Sequence, residues 1–196
     1  MNELYTIGHS THTIERLVEL LRLHGIGAVG DVRSSPFSRF NPQFNREPLQ
    51  QTLREAAIEY VFLGNELGAR PRERSCYVDG KVQFTRVARL PSFARGLERL
   101  RVGMDTYRTT LLCAEKDPIG CHRMILVCRA LRSGATKIRH ILEDGTLEEN
   151  DDTELRLMRE LDIRENDLFA SVDEQIERAY DQQASRIAYA EGGDNA

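Results

Sequence analysis

Residues 109–131 read TTLLCAEKDPIGCHRMILVCRAL. An apolar run stops at Cys113, a mostly polar loop follows, and apolar positions return at helical spacing once Cys121, His122 and Arg123 have passed. A short apolar run bounded by polar residues reads as a buried strand, and the later spacing reads as a helix over 121–133 closed by Gly134. Strand, loop and helix in that order are half of a βαβ unit.

Working outward, the same alternation recurs through the first 147 residues. Strands are predicted at LYTIG (4–8), AVGDV (28–32), EYVFL (59–63), TTLLCAE (109–115) and KIRHIL (137–142). Thr13 is a suitable N-cap for a helix carrying Ile14, Leu17, Val18 and Leu21 and ended by Gly25. Further helices are predicted around 47–57 and from Pro91, which suits a first helical position, with Phe93, Leu97 and Leu100 buried. RSSPFSRFNPQFN (33–45) is too long for a routine strand-to-helix connection. Residues 64–86 are irregular apart from a turn at Asp79-Gly80 between Val78 and Val82. The pattern predicts an α/β fold: a mainly parallel five-stranded sheet with helices on both faces, in a Rossmann-like or rhodanese-like three-layer architecture. After it, 143–152 reads as turn and 153–190 as helix with weak apolar content.

The 196 residues are 40% hydrophobic and 30% charged, enough for one substantial core. No run approaches the roughly 18 apolar residues of a membrane span. The opening MNELYTIGHS lacks the basic head and apolar stretch of a signal peptide. A cytoplasmic protein with no membrane contact is expected, its four cysteines serving as thiols, ligands or packing residues rather than disulfides. The net charge of −4 is uneven: residues 1–147 hold 22 basic against 16 acidic residues, and residues 148–196 hold 5 against 15. An α/β domain over 1–147 and an acidic, largely helical extension over 148–196 follow. The extension is a solvated appendage on the plainer reading and a competitor for an anion site on the sharper one.

In a parallel sheet the strand-to-helix loops gather at the carboxyl ends of the strands, where ligands bind. His9 and Ser10 follow the first predicted strand, and Asp31 and Arg33 close the second. Glu66 follows the third, and Cys113, Glu115, Lys116 and Asp117 follow the fourth. His140 alone lies inside a strand. Cys121, His122 and Arg123 open the next helix, where free backbone N–H groups favour an anion and a thiol is drawn toward thiolate.

Each candidate has a plainer reading. Cys128 sits on the stripe facing the sheet and is expected to be packed. Cys113 marks a strand end, and Cys121 is the better nucleophile. Ser10 is also a helix cap, and Asp31 with Arg33 is also an ion pair that orders a loop. A metal site drawn from His9, Cys113, Cys121, His122 and His140 has suitable donors but no Cys-x-x-Cys or His-x-x-x-His spacing, so no metal ligand is assigned and no cofactor is named. Arg70, Arg72 and Arg74, with Arg33, Arg39 and Arg46, are candidates for a phosphate-binding rim, and Phe37, Phe40, Phe44 and Tyr77 for stacking on bases.

YTIGHST (5–11), DVRSSPFSRFNPQFN (31–45), EYVFLGNELG (59–68), CAEKDPIGCHR (113–123) and RHI (139–141) together resemble the bacterial family called domain of unknown function 488. The resemblance implies an α/β fold and marks His9, Ser10, Asp31, Arg33, Pro36, Arg39, Glu115, Cys121, His122 and Arg123 as members of its motifs. It implies no settled reaction. Leu90 stands before Pro91 where a Ser or Thr cap is expected, and the acidic segment after 148 is less clearly part of the pattern. A remoter similarity is to rhodanese-like and Cys-phosphatase domains, but the Cys113–Arg123 loop is longer than a six-residue cradle and contains Pro118.

The expectation is an enzyme whose crevice binds a phosphate-bearing ligand, either a nucleotide or a nucleic-acid end. Arg33, Arg39, Lys116 and Arg123, with Ser10 and Asp31, would bind it. His122 or His9 would move protons, Glu115 would orient a histidine or water, and Cys121 would be nucleophile or ligand. The rivals are a thiol sulfurtransferase or phosphatase, a metal-binding protein and a non-enzymatic nucleic-acid binder.

Overall fold

The computed structural model describes residues 3–132, 134, 136–163 and 170–192. Its strands are β1 (Glu3–Gly8), β2 (Ala28–Asp31), β3 (Glu59–Phe62), β4 (Tyr77–Val78), β5 (Lys81–Val82), β6 (Thr109–Cys113), β7 (Lys137–Ile141) and β8 (Leu147–Glu149). Its α-helices are α1 (Ile14–Leu23), α2 (Arg46–Glu55), α3 (Gly64–Leu67), α4 (Phe84–Val87), α5 (Pro91–Thr106), α6 (Asn150–Glu160) and α7 (Val172–Ile187). The main sheet runs β3-β2-β6-β1-β7-β8, and β4 and β5 form a separate hairpin. Every neighbouring pair in the main sheet is parallel except β7 with β8.

The three central strands β2, β6 and β1 are almost entirely buried, as covered parallel strands must be. On one face Tyr5, Ile7, Val29 and Leu112 pack against Leu17, Leu20 and Leu21 of α1 and Leu49 and Leu53 of α2. On the other, Leu4, Leu111 and Ile138 pack against Phe93, Leu97 and Leu100 of α5 and against Leu157, Met158, Ile176 and Tyr180 of the last two helices. The chain therefore leaves β1 and β2 toward one face and leaves β6, which lies between them, toward the other. Loops diverge above β6, and that divergence opens the crevice in which doubly wound sheets bind ligands.

Three expectations are corrected. The sheet has six strands, not five: Asp144 and Gly145 turn the chain back and Leu147–Glu149 pairs antiparallel with β7. Three residues, two of them acidic, lack the apolar alternation that would reveal a strand, and they are held partly by Glu149 with Arg139. The helix predicted over 121–133 is a π-helix, Arg123–Cys128, continued by turns to Arg132, with Arg129 N–H bonded to the Met124 carbonyl. Its six residues are all buried, so it shows no polar face by which its wide pitch could be read. Residues 133 and 135 lie outside the described residues.

The helix predicted over 153–190 is two helices, α6 and α7, and 164–169 lie outside the described residues. The left-handed Asp162 closes α6, and a capping box at Ser171 and Glu174 opens α7. Among the described residues no helix is long and apolar enough to cross a membrane.

Candidate functional site

The loop after β6 is built into the sheet rather than draped over it. His9 N–H donates to the Cys113 carbonyl and Ser10 N–H to the Ala114 carbonyl, both at 2.9 Å, extending the β1–β6 ladder past the strand ends. Residue 8 must be glycine for this approach, since a Cβ there would lie 1.8 Å from the Glu115 carbonyl oxygen. From beneath, the fully buried Arg123 donates through Nη1 to the Glu115 carbonyl at 2.5 Å and through Nη2 to the Lys116 carbonyl at 2.9 Å. From outside, Arg156 donates to both carboxylate oxygens of Asp117, which also accepts from Ile119 N–H.

So clamped, the loop gathers four donor groups. The Cys113 and Cys121 thiols reach the same Glu115 oxygen, Oε2, at 2.9 and 3.0 Å. His122 Nδ1 lies 3.5 Å from Cys113 Sγ, while its Nε2 lies 3.0 Å from the Val32 carbonyl. A carbonyl only accepts, so Nε2 carries a hydrogen, and in the neutral ring Nδ1 presents its lone pair to the thiols. One ligand-type atom from each of Cys113, Glu115, Cys121 and His122 lies within 4.8 Å of the others.

Burial opposes ionisation of Cys121, yet its bond with Cys113, the Arg123 charge and His122 together draw the thiol well below its usual value. Burial and the neighbouring Cys121 push Cys113 well up. Burial disfavours a charged His122, but its bond to Cys121 and the negative charges of Cys121 and Glu115 raise its proton affinity. Burial and Cys121 likewise raise Glu115. One thiol thus ionises far more readily than the other.

Beside this cluster, Arg33 grips Asp31 with Nε and Nη2 at 2.9 and 2.7 Å, and Tyr60 donates its hydroxyl to the same carboxylate. Arg33 Nη1 points at His9 Nε2, 3.3 Å away, and His9 Nδ1 lies 3.0 Å from the Ser10 carbonyl. The ring stacks on Phe44 at 4.3 Å. Burial first, then the Arg33 charge, lowers His9 to about 4. A neutral His9 therefore accepts from Arg33 and fixes it.

A cavity of about 530 Å³ opens over the cluster, lined by Arg33, Cys113, Glu115 and His122 on its floor. Its walls are Ser34, Ser35 and Phe37 after β2, Ala69 and Arg70 after α3, and residues 186–190, the last two of α7 and the three beyond it. Arg70 stacks on Tyr189 at 4.3 Å, and the Tyr189 carbonyl accepts from Val82 N–H at 2.9 Å, which ties this wall to the hairpin.

Of the ten residues expected in the site, Arg33, Glu115 and His122 line the cavity. Cys121 touches the cluster from behind, and it is Cys113 that faces the opening. Arg123 is a strut of the loop, with both Nη atoms spent on carbonyls. Lys116 points away to Glu143, and the exposed Arg39 is outside the lining. Asp31 serves through Arg33. Ser10 takes a left-handed backbone, φ 46°, where the chain leaves β1.

His140 lies outside the crevice, between the Thr6 hydroxyl and the Asn150 side chain. Arg186 and its neighbours were missed altogether, because nothing in an acidic extension marks the five residues that fold back over a distant strand end.

No curated protein and no solved structure matches the chain. Residues 13–130 match the family model described as Domain of unknown function DUF488, a span that runs from α1 through the π-helix and includes Asp31, Arg33 and all four clustered donors. Since the match covers more than half of the chain and the whole of the cluster, the chain belongs to the DUF488 family.

Proposed function

We propose that this protein is an enzyme of hydrolase or transferase type that binds a phosphate-bearing ligand in the cavity over β6. It would act on that ligand with the groups clustered on the cavity floor. The supporting observation is the charge of the lining: among the described residues Arg33, Arg70 and Arg186 face one space whose only lining carboxylate is Glu115, while Asp31 behind Arg33 balances that one guanidinium. Guanidiniums gathered around one opening favour an anion, and the planar forks of Arg70 and Arg186 suit phosphate oxygens. The volume falls within the range of small-molecule sites. The exposed Phe37 on the wall offers a ring on which a base can stack.

In this reading His9 and Asp31 hold Arg33 in place, and Glu115 and His122 are the groups that reach a bound ligand. Rossmann-like and rhodanese-like architectures both suit it, because each presents ligands to the carboxyl ends of parallel strands. A cytoplasmic setting suits it as well, since four thiols stay reduced there.

Calorimetric titration with nucleoside monophosphates, nucleoside diphosphates and a 5′-phosphorylated oligonucleotide tests the proposal. At least one probe is expected to bind, and Arg70→Ala and Arg186→Ala are each expected to weaken it roughly tenfold, the worth of a charged hydrogen bond. The proposal fails if no probe binds, or if the double variant binds as well as the parent.

Thiol-based sulfur transfer is a second reading, favoured by the readily ionised Cys121. Access weighs against it, since Cys121 is 1% exposed and absent from the cavity lining. Rapid alkylation of Cys121 in the native protein would restore this reading.

A further inference from the structure

We infer that Cys113, Glu115, Cys121 and His122 bind a transition-metal ion of the zinc or ferrous type, held where the floor of the cavity meets β6. The inference concerns the cavity of the proposed enzyme but draws on none of the phosphate argument.

The donor set is the first ground. Two thiols, an imidazole and a carboxylate, with ligand atoms all within 4.8 Å of one another, are the mixture that borderline divalent ions select over magnesium or calcium. A tetrahedral ion with bonds of about 2.0 to 2.3 Å sets donor separations of roughly 3.3 to 3.8 Å. The separations of 2.9, 3.0 and 3.5 Å along three edges of the cluster fall below or within that range and none exceeds 4.8 Å, so side-chain rotations that move the donors by about an ångström are required.

The second ground is orientation. Metal-bound histidines have their other nitrogen fixed by a hydrogen bond, commonly to a backbone carbonyl. Here the Val32 carbonyl takes the hydrogen of His122 Nε2 at 3.0 Å and turns Nδ1 inward. Arg123 N–H lies 3.4 Å from Cys121 Sγ, a contact that supports a metal-bound thiolate. The loop carrying Glu115 is held by Arg123 and Arg156 on opposite sides, so the donors are arranged before anything binds.

The third ground is charge. As thiols, Cys113 and Cys121 both donate to one Glu115 oxygen; a bound ion would displace those protons and stand between two thiolates and a carboxylate. Beneath them Arg123 spends its Nη atoms on the carbonyls of Glu115 and Lys116. A divalent ion leaves the four ligands at a net charge of −1, which the buried Arg123 offsets.

Cys121 would bind from the protein side and Cys113, Glu115 and His122 from the cavity side, so the ion would face the ligand. Two thiolates and one histidine match a known catalytic zinc set in which the fourth position is exchangeable. Glu115, the most solvent-exposed of the four, is assigned to that position. The chemistry supplied there is Lewis-acid polarisation of a ligand oxygen.

The test uses the full chain purified in reducing, chelator-free buffer. Elemental analysis and native mass spectrometry should find one zinc or iron ion per chain. Metal-free protein given cobalt chloride should show a thiolate-to-cobalt charge-transfer band and the strong visible bands of a tetrahedral site. Cys121→Ser and His122→Ala should each abolish the bands, whereas Cys76→Ser, in a buried cysteine outside the cluster, should retain them. To separate loss of binding from loss of folding, far-ultraviolet circular dichroism is recorded on each, and Glu115→Gln, which keeps its shape, should bind cobalt more weakly but still fold.

Reduced, folded parent protein that takes up neither zinc nor cobalt overturns the inference. So does a Cys113–Cys121 disulfide formed in place of metal uptake under those conditions, or bands that survive in folded Cys121→Ser. Metal uptake without binding of any phosphate-bearing probe retains this inference and overturns the proposed ligand. Probe binding without metal uptake does the reverse.

Discussion

Arg123, completely buried, donates to the backbone carbonyl of Glu115 at 2.5 Å, so the loop that carries the cluster rests on a side chain from the helix that follows it. The same guanidinium bonds the Lys116 carbonyl and the Thr6 hydroxyl. Arg123→Met would leave these acceptors without their donor in the interior, at a cost of about 3 kcal/mol or more. Arg123→Lys, a point charge in place of a fork, should lose less. Urea unfolding with an unchanged slope measures both, and a loss below about 1 kcal/mol for the Met variant would contradict the role of a strut.

Gly8→Ala should be as disruptive from the opposite side. Its Cβ would meet the Glu115 carbonyl, and overpacking of this kind costs about 1 to 3 kcal/mol. Gly103→Ala supplies the contrast: that glycine lies within α5 with nothing near its Cβ, and alanine should stabilise the helix by about 0.8 kcal/mol. Thermal unfolding of the two variants should move in opposite directions.

Acid should destabilise the fold through two of its buried histidines, His140 and His9. Burial first, then the Arg123 charge, lowers His140 to about 4 from 6.5. The folded state holds the neutral ring, so this stability is complete above pH 6.5 and falls as pH drops toward 4, where only the unfolded chain takes up the proton. At 1.36 kcal/mol per unit, His140 alone accounts for about 2 kcal/mol between pH 6.5 and 5. His9 acts in the same direction, so His140→Gln should roughly halve the slope in that window rather than remove it. Chemical unfolding at stepped pH tests this, and an unchanged slope would show that His140 is not the group responsible.

Tyr189→Ala should separate the cavity from the fold. The ring stacks with Arg70 at 4.3 Å and is only partly buried, so its loss should cost about 1 kcal/mol of stability. Binding of whichever phosphate-bearing probe is found should weaken more than stability does, because Arg70 loses its rest. Equal binding by parent and variant would place the ligand elsewhere.

Much of this was legible in the sequence for a physical reason. Buried parallel strands are continuous apolar runs, and Thr13, Gly25 and Pro91 mark helix ends through backbone preference alone. That rule also placed Asp31, Arg33, Cys113, Glu115 and His122 near one another before any contact was known. The unread features depend on tertiary context. Leu147–Glu149 is a strand only because β7 lies beside it. Arg123 reads as a cation at a helix start, and only its burial under two carbonyls turns it into a strut. Cys121 and Cys113 exchange their expected places because which thiol faces the opening depends on the turn between them.

The wall formed by residues 186–190 also bears on how the protein is made. The cavity floor draws on β1, β2 and β6 and on His122, all of which can assemble once β7 has been synthesised. The strap from Arg186 to Ala190, hydrogen-bonded to the hairpin at Val82 and bridged to Lys81, is synthesised later, with the end of α7 and the residues beyond it. On the ribosome the Cys113 side of the cluster would therefore stand uncovered until the last wall is made, and the chamber would be among the last parts of the molecule to come into being.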